Sequence, residues 1–309
     1  MASSDTQVHF RYLQDLPLYD TEKPYIFESN ISYDNKPVTN VRQALYPVSL
    51  ENIRGREQDF NWDRHGFAFL RHTSSIDFTQ DTQDTISYIQ ENSQTLKEKF
   101  RADRVICYDV RRRSGEENRK ELDAMPENTF SQPRIPAPPV YAVHIDHKDH
   151  TRTGGYHRAR RHFTDDEIAE YIESGEWQIR VVNTWRPIKP VDTSPMAFCD
   201  PQTVGEKDLV PTDLVSEDYD GETYSFKYNP QHRFYWLKDQ QPDELCVFVT
   251  FDSLDNRPGT HITTCPHTSF DNPWAQASSS PRESIEARSL VLNYIGEKRA
   301  ITETFCWKH

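Results

Sequence analysis

The residues of this sequence whose types and spacing suit metal chemistry begin with the triplet His144-Ile-Asp146, at the end of the apolar run 138–143. Two residues apart on a strand, an imidazole and a carboxylate point the same way, so they can bind one metal ion from one side. The best third ligand is His267, far downstream in the segment 263–270. Two histidines and one carboxylate are typical of the facial triad, which leaves positions on an Fe(II) ion open for a co-substrate and oxygen.

The assignment of the individual ligands has alternatives, since a chain with 12 His and 49 acidic residues contains such triplets by chance. His147-Lys-Asp149 is a second copy of the triplet. We prefer the first because hydrophobic residues lead into it, as expected for a strand that runs from a core to a pocket. His261 has the same strand parity as His267, so it stays open as the distal ligand.

Two other classes of function compete with an iron site. A zinc-dependent hydrolase would use His144, Asp146 and His150, with a general base and a nucleophilic water. The distance of His267 along the sequence gives that arrangement no support. A non-catalytic barrel that binds a small molecule would lack one member of the triad, whereas all three positions are filled here.

Charged residues interrupt the strand predicted at the end of the chain. One face of this strand carries, at every second position, Arg282, Ser284, Glu286 and Arg288. The opposite face carries Ile285 and Ala287. Charged side chains on so apolar a strand need partners, because burying them unpaired costs several kcal/mol. Either a dicarboxylate co-substrate binds an arginine or Glu286 forms an internal salt bridge with one.

The elements that must position these residues are mostly strands. A helix is predicted over 85–100 from the spacing of Ile86, Ile89, Leu96 and Phe100. A second, short helix begins at the capping box 164–167. Strands are predicted at 66–70, 104–110, 177–185, 224–228, 233–237, 245–251, 259–264 and 284–294. Many strands after one helix favour a β-rich α+β fold, a distorted jelly roll with flanking helices.

Composition limits the partners and the compartment. The net charge of −13 argues against a nucleic-acid partner. The basic clusters 111–113 and 158–161 are predicted to be solvated. Five widely spaced cysteines, odd in number, indicate reduced thiols. A polar N-terminus and the lack of a long apolar stretch predict a cytoplasmic protein without a membrane partner. The sequence does not predict the oligomeric state.

Several motifs in order carry a resemblance to a known family. They are Arg54-Gly-Arg-Glu57, Gly66-Phe67, Ala102-Asp-Arg-Val-Ile106, Val143-His-Ile-Asp146, Val182-Asn-Thr-Trp-Arg-Pro-Ile188, Cys199-Asp200, His267-Thr-Ser-Phe-Asp-Asn-Pro273 and Pro281-Arg-Glu-Ser-Ile-Glu-Ala-Arg288. Over nearly the whole chain, the sequence resembles the fungal hydroxylase/desaturase family related to cephamycin methoxylase and gibberellin desaturase proteins. The resemblance implies a non-haem Fe(II) oxygenase that uses 2-oxoglutarate and O2 on a double-stranded β-helix.

The resemblance also implies roles for particular residues. The iron ligands would be His144, Asp146 and His267. Arg282, with Ser284 two residues on, is the first choice to hold the C5 carboxylate of 2-oxoglutarate, and Arg288 is the second choice. Asn183 and Arg186 lie on a strand expected to line the cavity, where they contact co-substrate or substrate. For Trp185, on the same strand, a core role competes with a role in the cavity.

The same resemblance suggests what the enzyme makes and how the chain is organised. Such enzymes hydroxylate, desaturate or oxidatively cyclise a small molecule in fungal secondary metabolism, while 2-oxoglutarate is decarboxylated to succinate. No motif identifies the substrate or the product type. We expect a single oxygenase domain over 1–309, with 1–77 as a wrapping arm and the barrel core at about 104–296. The arm and the loop 114–137 are expected to select the substrate.

Overall fold

The computed structural model of the chain describes residues 6–27, 37–76, 78, 83–114, 139–147, 154–216, 219–255 and 264–296. Two β-sheets dominate these residues, and short helices flank them. The β-rich fold predicted from the sequence is therefore confirmed, and the sheets have a jelly-roll-like arrangement. The predicted strand 259–264 and most of the predicted loop 114–137 lie outside the described residues.

The larger sheet has nine strands. In the order in which they are hydrogen-bonded, they are β1 (Thr6–Leu13), β3 (Gln43–Asn52), β11 (Phe234–Trp236), β8 (Met196–Cys199), β13 (His267–Ser269), β6 (His144–Ile145), β10 (Tyr219–Phe226), β9 (Leu209–Ser216) and β2 (Tyr25–Phe27). This sheet curls, because β1 also forms bridges from Arg11 to Ala142 and from Leu13 to Lys227. The Val143 amide donates to the Arg11 carbonyl oxygen at 3.0 Å. The first strand thus supports the residues that lead into β6.

The smaller sheet has five strands. Their order is β4 (Phe67–Arg71), β12 (Glu244–Asp252), β7 (Trp177–Pro187), β14 (Glu283–Tyr294) and β5 (Arg104–Ser114). The α-helical segments in the described part of the chain are α1 (Trp62–His65), α2 (Gln83–Lys99), α3 (Gly155–Arg160) and α4 (Asp165–Ile168). The capping box predicted at the start of α4 is present, with Thr164 and Glu167 bonding reciprocally to the backbone. The segment 1–77 supplies strands to both sheets.

An aromatic core holds the two sheets face to face. Phe198 of the larger sheet stacks on Phe67 of the smaller one, with ring centroids 4.9 Å apart, and lies 5.4 Å from Phe248. Trp185 and Cys246 belong to the same buried cluster. Because this cluster fills one part of the space between the sheets, the polar residues of β6, β7, β13 and β14 face each other in the remaining part.

Helix α2 covers the outer face of the smaller sheet with most of the predicted apolar stripe, except at the start of the helix. Leu96 and Phe100 are buried as predicted, whereas Ile86 is 63% exposed and Tyr88 is buried instead. Tyr88 packs on Ile285 and Ala287 of β14. The apolar spacing was misleading because part of the buried face is polar: the buried Asn92 bonds to side chains of the sheet.

A β-bulge changes the face of the sheet to which the side chains in the C-terminal part of β5 point. Arg288 is paired with Asp109 and Ser289 with Cys107, so Tyr108 is an extra residue in β5. Beyond a bulge, the alternation of side chains is shifted by one residue. Arg113 therefore points inward, where its side chain is 10% exposed. The prediction that the cluster 111–113 is solvated is wrong for Arg113.

Candidate metal centre

Neighbouring strands of the larger sheet bring together the three residues predicted to bind a metal. His144 of β6 is paired with His267 of β13, and their ring centroids are 4.4 Å apart. Asp146 follows β6 directly. One ligand atom from each of the three residues lies within 4.8 Å of the other two. A pairing of two strands that are distant in sequence thus assembles a set of two imidazoles and one carboxylate.

Backbone carbonyls fix the tautomer of both histidines. His144 Nδ1 lies 2.8 Å from the Ala142 carbonyl oxygen, and His267 Nδ1 lies 3.0 Å from the Cys265 carbonyl oxygen. A carbonyl oxygen can only accept a hydrogen bond, so each Nδ1 carries a proton and donates. Each neutral ring therefore presents the lone pair of its Nε2, as a metal-binding histidine requires.

The charge states around the site also suit a metal. Burial and the neighbouring His144 lower the pKa of His267 to about 4, so its ring is neutral at pH 7. Burial acts to raise the pKa of Asp146, but Arg288 and the two histidines lower it well below its ordinary value. At neutral pH the site therefore offers a neutral imidazole from His267 and a carboxylate from Asp146.

These residues border a small cavity. Its lining consists of Arg113, Val140, His144, Asp146, Trp185, Met196, His267, Ser269, Arg282, Glu286 and Arg288. Of these, Arg113, Val140, Met196 and Ser269 were not predicted from the sequence. The bulge in β5 places Arg113 there, and the pairing of β8 with β13 places Met196 and Ser269 there; neither feature has a clear sequence signal.

Arg282, which directly precedes β14, is a buried cation on the cavity wall. One terminal nitrogen donates to the Ser194 carbonyl oxygen at 2.7 Å and to Ser269 Oγ at 2.8 Å. Among the described residues, no carboxylate lies within ion-pair distance of its guanidinium. Burial and the nearby Arg113 lower the pKa of Arg282 to about 9, which leaves it charged at neutral pH.

Ser284 follows Arg282 on the same strand face and is fully buried. Its Oγ and the Nε of Arg282 have no hydrogen-bond partner among the described residues. Buried polar atoms without partners are rare in folded proteins. Because Arg282 lines the cavity, its unpaired Nε fits a site that receives a polar ligand.

Arg288, the second candidate for the co-substrate, is already surrounded by carboxylates. Its guanidinium lies 3.0 Å from Asp109, 2.9 Å from Glu286 and 3.8 Å from Asp146. Burial acts to raise the pKa of Glu286, but Arg288 and Arg113 lower it to about 2. The internal salt bridge considered from the sequence is therefore present, and it involves Arg288.

The three candidates on β7 divide between its two faces. Asn183 and Trp185 point toward the larger sheet, and Asn183 Nδ2 donates to Asp146 Oδ2 at 2.6 Å. Arg186 points the other way, where it donates to the carbonyl oxygens of His72 at 2.6 Å and Pro242 at 2.7 Å. The prediction that Arg186 contacts co-substrate or substrate is wrong, since adjacent residues of a strand face opposite sides.

The alternative ligands do not join this cluster within the described residues. His147 is buried with its Nδ1 at 3.3 Å from Thr250 Oγ1. Asp149, His150 and His261 lie outside the described residues. The four described cysteines are free thiols, as predicted. No helix in the described part of the chain is both long and apolar enough to span a membrane.

Known proteins resemble this chain over most of its length. A family model described as "Oxidoreductase/YMDC permease-like domain" matches residues 10–292. "Hydroxylase/desaturase efuI" of Hormonema carpetanum is 27% identical, over 85% of this chain and 89% of that protein. "Alpha-ketoglutarate-dependent dioxygenase tstK" of Talaromyces stipitatus is 26% identical, over 89% and 94%. The resemblance to fungal hydroxylase/desaturase proteins is thereby confirmed.

A solved structure shares the fold. The "iron and alpha-ketoglutarate-dependent endoperoxidase NvfI" superimposes with a TM-score of 0.72 at 20% identity, covering 94% of this chain and 98% of that one. At this identity the match informs on the fold alone. The two facing sheets described above therefore form an architecture that is already known.

Proposed function

We propose that this chain, which belongs to the oxidoreductase/YMDC permease-like domain family, is an Fe(II)- and 2-oxoglutarate-dependent oxygenase. Its reaction is the hydroxylation, desaturation or oxidative cyclisation of a small molecule in fungal secondary metabolism. The names of the fungal relatives support this assignment. The observation that carries it is the cluster of His144, Asp146 and His267 beside a cavity.

The iron ligands in this proposal are His144, Asp146 and His267. Their donor set, two imidazole nitrogens and one carboxylate oxygen, is the one that suits Fe(II) with open coordination positions. When bound, Fe(II) supplies the activation of O2, coupled to the decarboxylation of 2-oxoglutarate to succinate. The Ala142 and Cys265 carbonyls hold the Nδ1 proton of each ring, which leaves Nε2 as the nitrogen that binds the metal.

Arg282 is the proposed anchor for the C5 carboxylate of 2-oxoglutarate. It lines the cavity with the three ligand residues and lacks a carboxylate among the described residues, whereas Arg288 has three. A bidentate pair with a carboxylate stabilises a buried guanidinium and fixes the orientation of the acid. Ser284 Oγ, buried on the same strand face, is placed to donate to the same carboxylate.

The finer fold assignment is a double-stranded β-helix with flanking helices. The pairing of His144 with His267 across adjacent strands and the curled nine-stranded sheet support it. We further propose one oxygenase domain, whose barrel core occupies about 104–296 and whose segment 1–77 wraps around it. The net charge of −13 supports the absence of a nucleic-acid partner.

An anaerobic titration of the apoprotein with Fe(II) and 2-oxoglutarate tests the function. We expect the weak visible absorption of the iron–2-oxoglutarate chelate in the wild type and its loss in His144→Ala, Asp146→Ala and His267→Ala. His65→Ala is the matched control, because His65 is buried outside the cavity lining. A folded, iron-loaded wild type without this absorption would contradict the proposal.

Arg282→Met separates co-substrate binding from metal binding in the same titration. The variant is expected to bind Fe(II) as the wild type does and to need much more 2-oxoglutarate to develop the absorption. If Arg288→Met instead weakens 2-oxoglutarate binding and Arg282→Met does not, the two arginines have been assigned in the wrong order.

A further inference from the structure

The two oxygen atoms of the Asp146 carboxylate have different surroundings. Oδ1 lies 3.4 Å from His144 Nε2, on the side of the other ligand residues. Oδ2 accepts a hydrogen bond from Asn183 Nδ2 at 2.6 Å and lies 3.8 Å from Arg288 Nε. The carboxylate is therefore held by one oxygen and presents the other to the metal position.

The orientation of the Asn183 amide follows from the charges around it. Nδ2 also lies 3.4 Å from Glu286 Oε1, so the amide is placed between two carboxylates. Ionised carboxylates only accept hydrogen bonds, and an amide oxygen facing them would be repelled. The NH2 group must therefore face Asp146 and Glu286. The remaining amide oxygen has no partner among the described residues.

The surroundings of Asn183 leave it little freedom to move. It is fully buried on β7, which is hydrogen-bonded to β12 on one side and β14 on the other. Its second acceptor, Glu286, is held by Arg113 Nε at 2.8 Å and by a terminal nitrogen of Arg288 at 2.9 Å. Arg288 is in turn paired with Asp109. An ion-paired network thus fixes the group that holds Asp146.

We propose that Asn183 is a positioning residue that keeps Asp146 a one-oxygen ligand of the metal. This inference rests on the proposed function, because it concerns the same metal site. A carboxylate free to rotate can bind a metal through both oxygens and so occupy a second coordination position. With Oδ2 bonded to Asn183, that position stays open for a co-substrate. Partners of this kind typically change metal affinity by about 10- to 100-fold when they are removed.

The test uses Co(II) as an oxygen-inert probe of the apoprotein, without 2-oxoglutarate. Asn183→Leu has a similar size but no donor. It is expected to bind Co(II) about 10- to 100-fold more weakly than the wild type. Its visible Co(II) spectrum should also change in intensity, because the number of coordinating oxygens changes. Asn183→Ser, whose hydroxyl is too short to reach Asp146 in the same way, serves as the second variant if the leucine variant does not fold.

Asn92→Leu is the matched control. Asn92 is also a buried asparagine bonded to the smaller sheet, but its partners, Thr184 and Ser289, are on the outer face. We expect this variant to lose stability and to bind Co(II) with the wild-type affinity and spectrum. A purely structural role for Asn183 predicts the same behaviour for the two positions.

The outcomes separate this inference from the proposed function. A loss of Co(II) affinity in the Asn183 variants of about fivefold or more, with the spectral change, supports it. A smaller loss, or an unchanged spectrum, overturns it while the metal site stands. A wild type that binds Co(II) but forms no chelate with Fe(II) and 2-oxoglutarate overturns the oxygenase alone. A wild type that binds no metal overturns both.

Discussion

Strand β7 buries polar side chains on both faces, and the two faces use them differently. On the outer face, under α2, Thr184 donates to Asn92 Oδ1 at 2.6 Å, and Arg186 donates to two backbone carbonyls. On the inner face, Asn183 bonds to Asp146, and the neighbouring Arg282 borders the cavity. Neither arginine has a carboxylate partner among the described residues, so burial alone does not mark a binding residue. The open space beside Arg282 makes the difference.

The largest expected effect is on the outer face, in Arg186→Met. Its loss leaves the carbonyl oxygens of His72 and Pro242 buried without donors, at about 1–3 kcal/mol each. We expect the free energy of unfolding to fall by about 3 kcal/mol or more in urea titrations. The affinity of the folded variant for 2-oxoglutarate should stay unchanged. A tenfold loss of that affinity would place Arg186 in the site after all.

Arg282→Met should show the reverse pattern. Charge-assisted hydrogen bonds contribute about 1.5–3 kcal/mol, so losing the pair to the C5 carboxylate should weaken 2-oxoglutarate binding about 100-fold. Stability should fall less than in Arg186→Met, because only one buried carbonyl oxygen, that of Ser194, loses its donor instead of two. Equilibrium binding and urea unfolding of the same variant give both values. If 2-oxoglutarate binding is unchanged and stability falls strongly, Arg282 has the same purely structural role as Arg186.

Thr184→Val is a smaller change next to Asn183. Valine has nearly the same shape, but it leaves Asn92 Oδ1 without its donor, which should lower the unfolding free energy by about 1–2 kcal/mol. Co(II) affinity should remain that of the wild type, because residue 184 faces away from the site. Weaker Co(II) binding would show that the two faces of β7 are coupled.

The smallest effect concerns the pH dependence of stability on the outer face. Burial and the adjacent Arg186 lower the pKa of His72, whose Nδ1 accepts from the Arg186 guanidinium at 2.6 Å. Below a pH of about 6.5, the unfolded chain therefore binds more protons than the folded protein does. The stabilising contribution of His72 is lost as the pH falls.

His72→Asn, whose amide oxygen can accept from Arg186, should reduce the loss of stability between pH 7.5 and 5.5. The reduction should be about 1 kcal/mol or less, because one group is involved. Urea unfolding at the two pH values measures it. If the variant and the wild type lose the same stability between pH 7.5 and 5.5, His72 does not titrate in this range.

The sequence predicted those site residues whose positions follow from the alternation of side chains along a single strand. The triplet at 144–146 and the shared face of Arg282, Glu286 and Arg288 both follow from a period of two. The same rule, applied to β7, separates Arg186 from Asn183, so that error was avoidable. His267 was the preferred third ligand, but His261 stayed open beside it, because no local signal reports that β13 pairs with β6.

Other features had no local signal to reveal them. The inward direction of Arg113 depends on the bulge at Tyr108, and bulges of this type have no reliable sequence pattern. The exposure of Ile86 depends on which face of α2 meets the sheet, which the polar Asn92 decides by its bonds to Thr184 and Ser289. In both cases a tertiary contact overrides a local preference.

The support that β1 gives to the residues before β6 has a consequence for folding kinetics. Arg11 is bonded to Val143, β3 is paired in parallel with β11 through Leu50 and Phe234, and His144 needs β13. Contacts between residues so distant in sequence form slowly, because much chain entropy is lost before they can stabilise anything. During synthesis, β1 can pair with β3 early, but the contact of Arg11 with Val143, the pairing of β3 with β11 and the pairing of His144 with His267 must wait for those later segments to emerge.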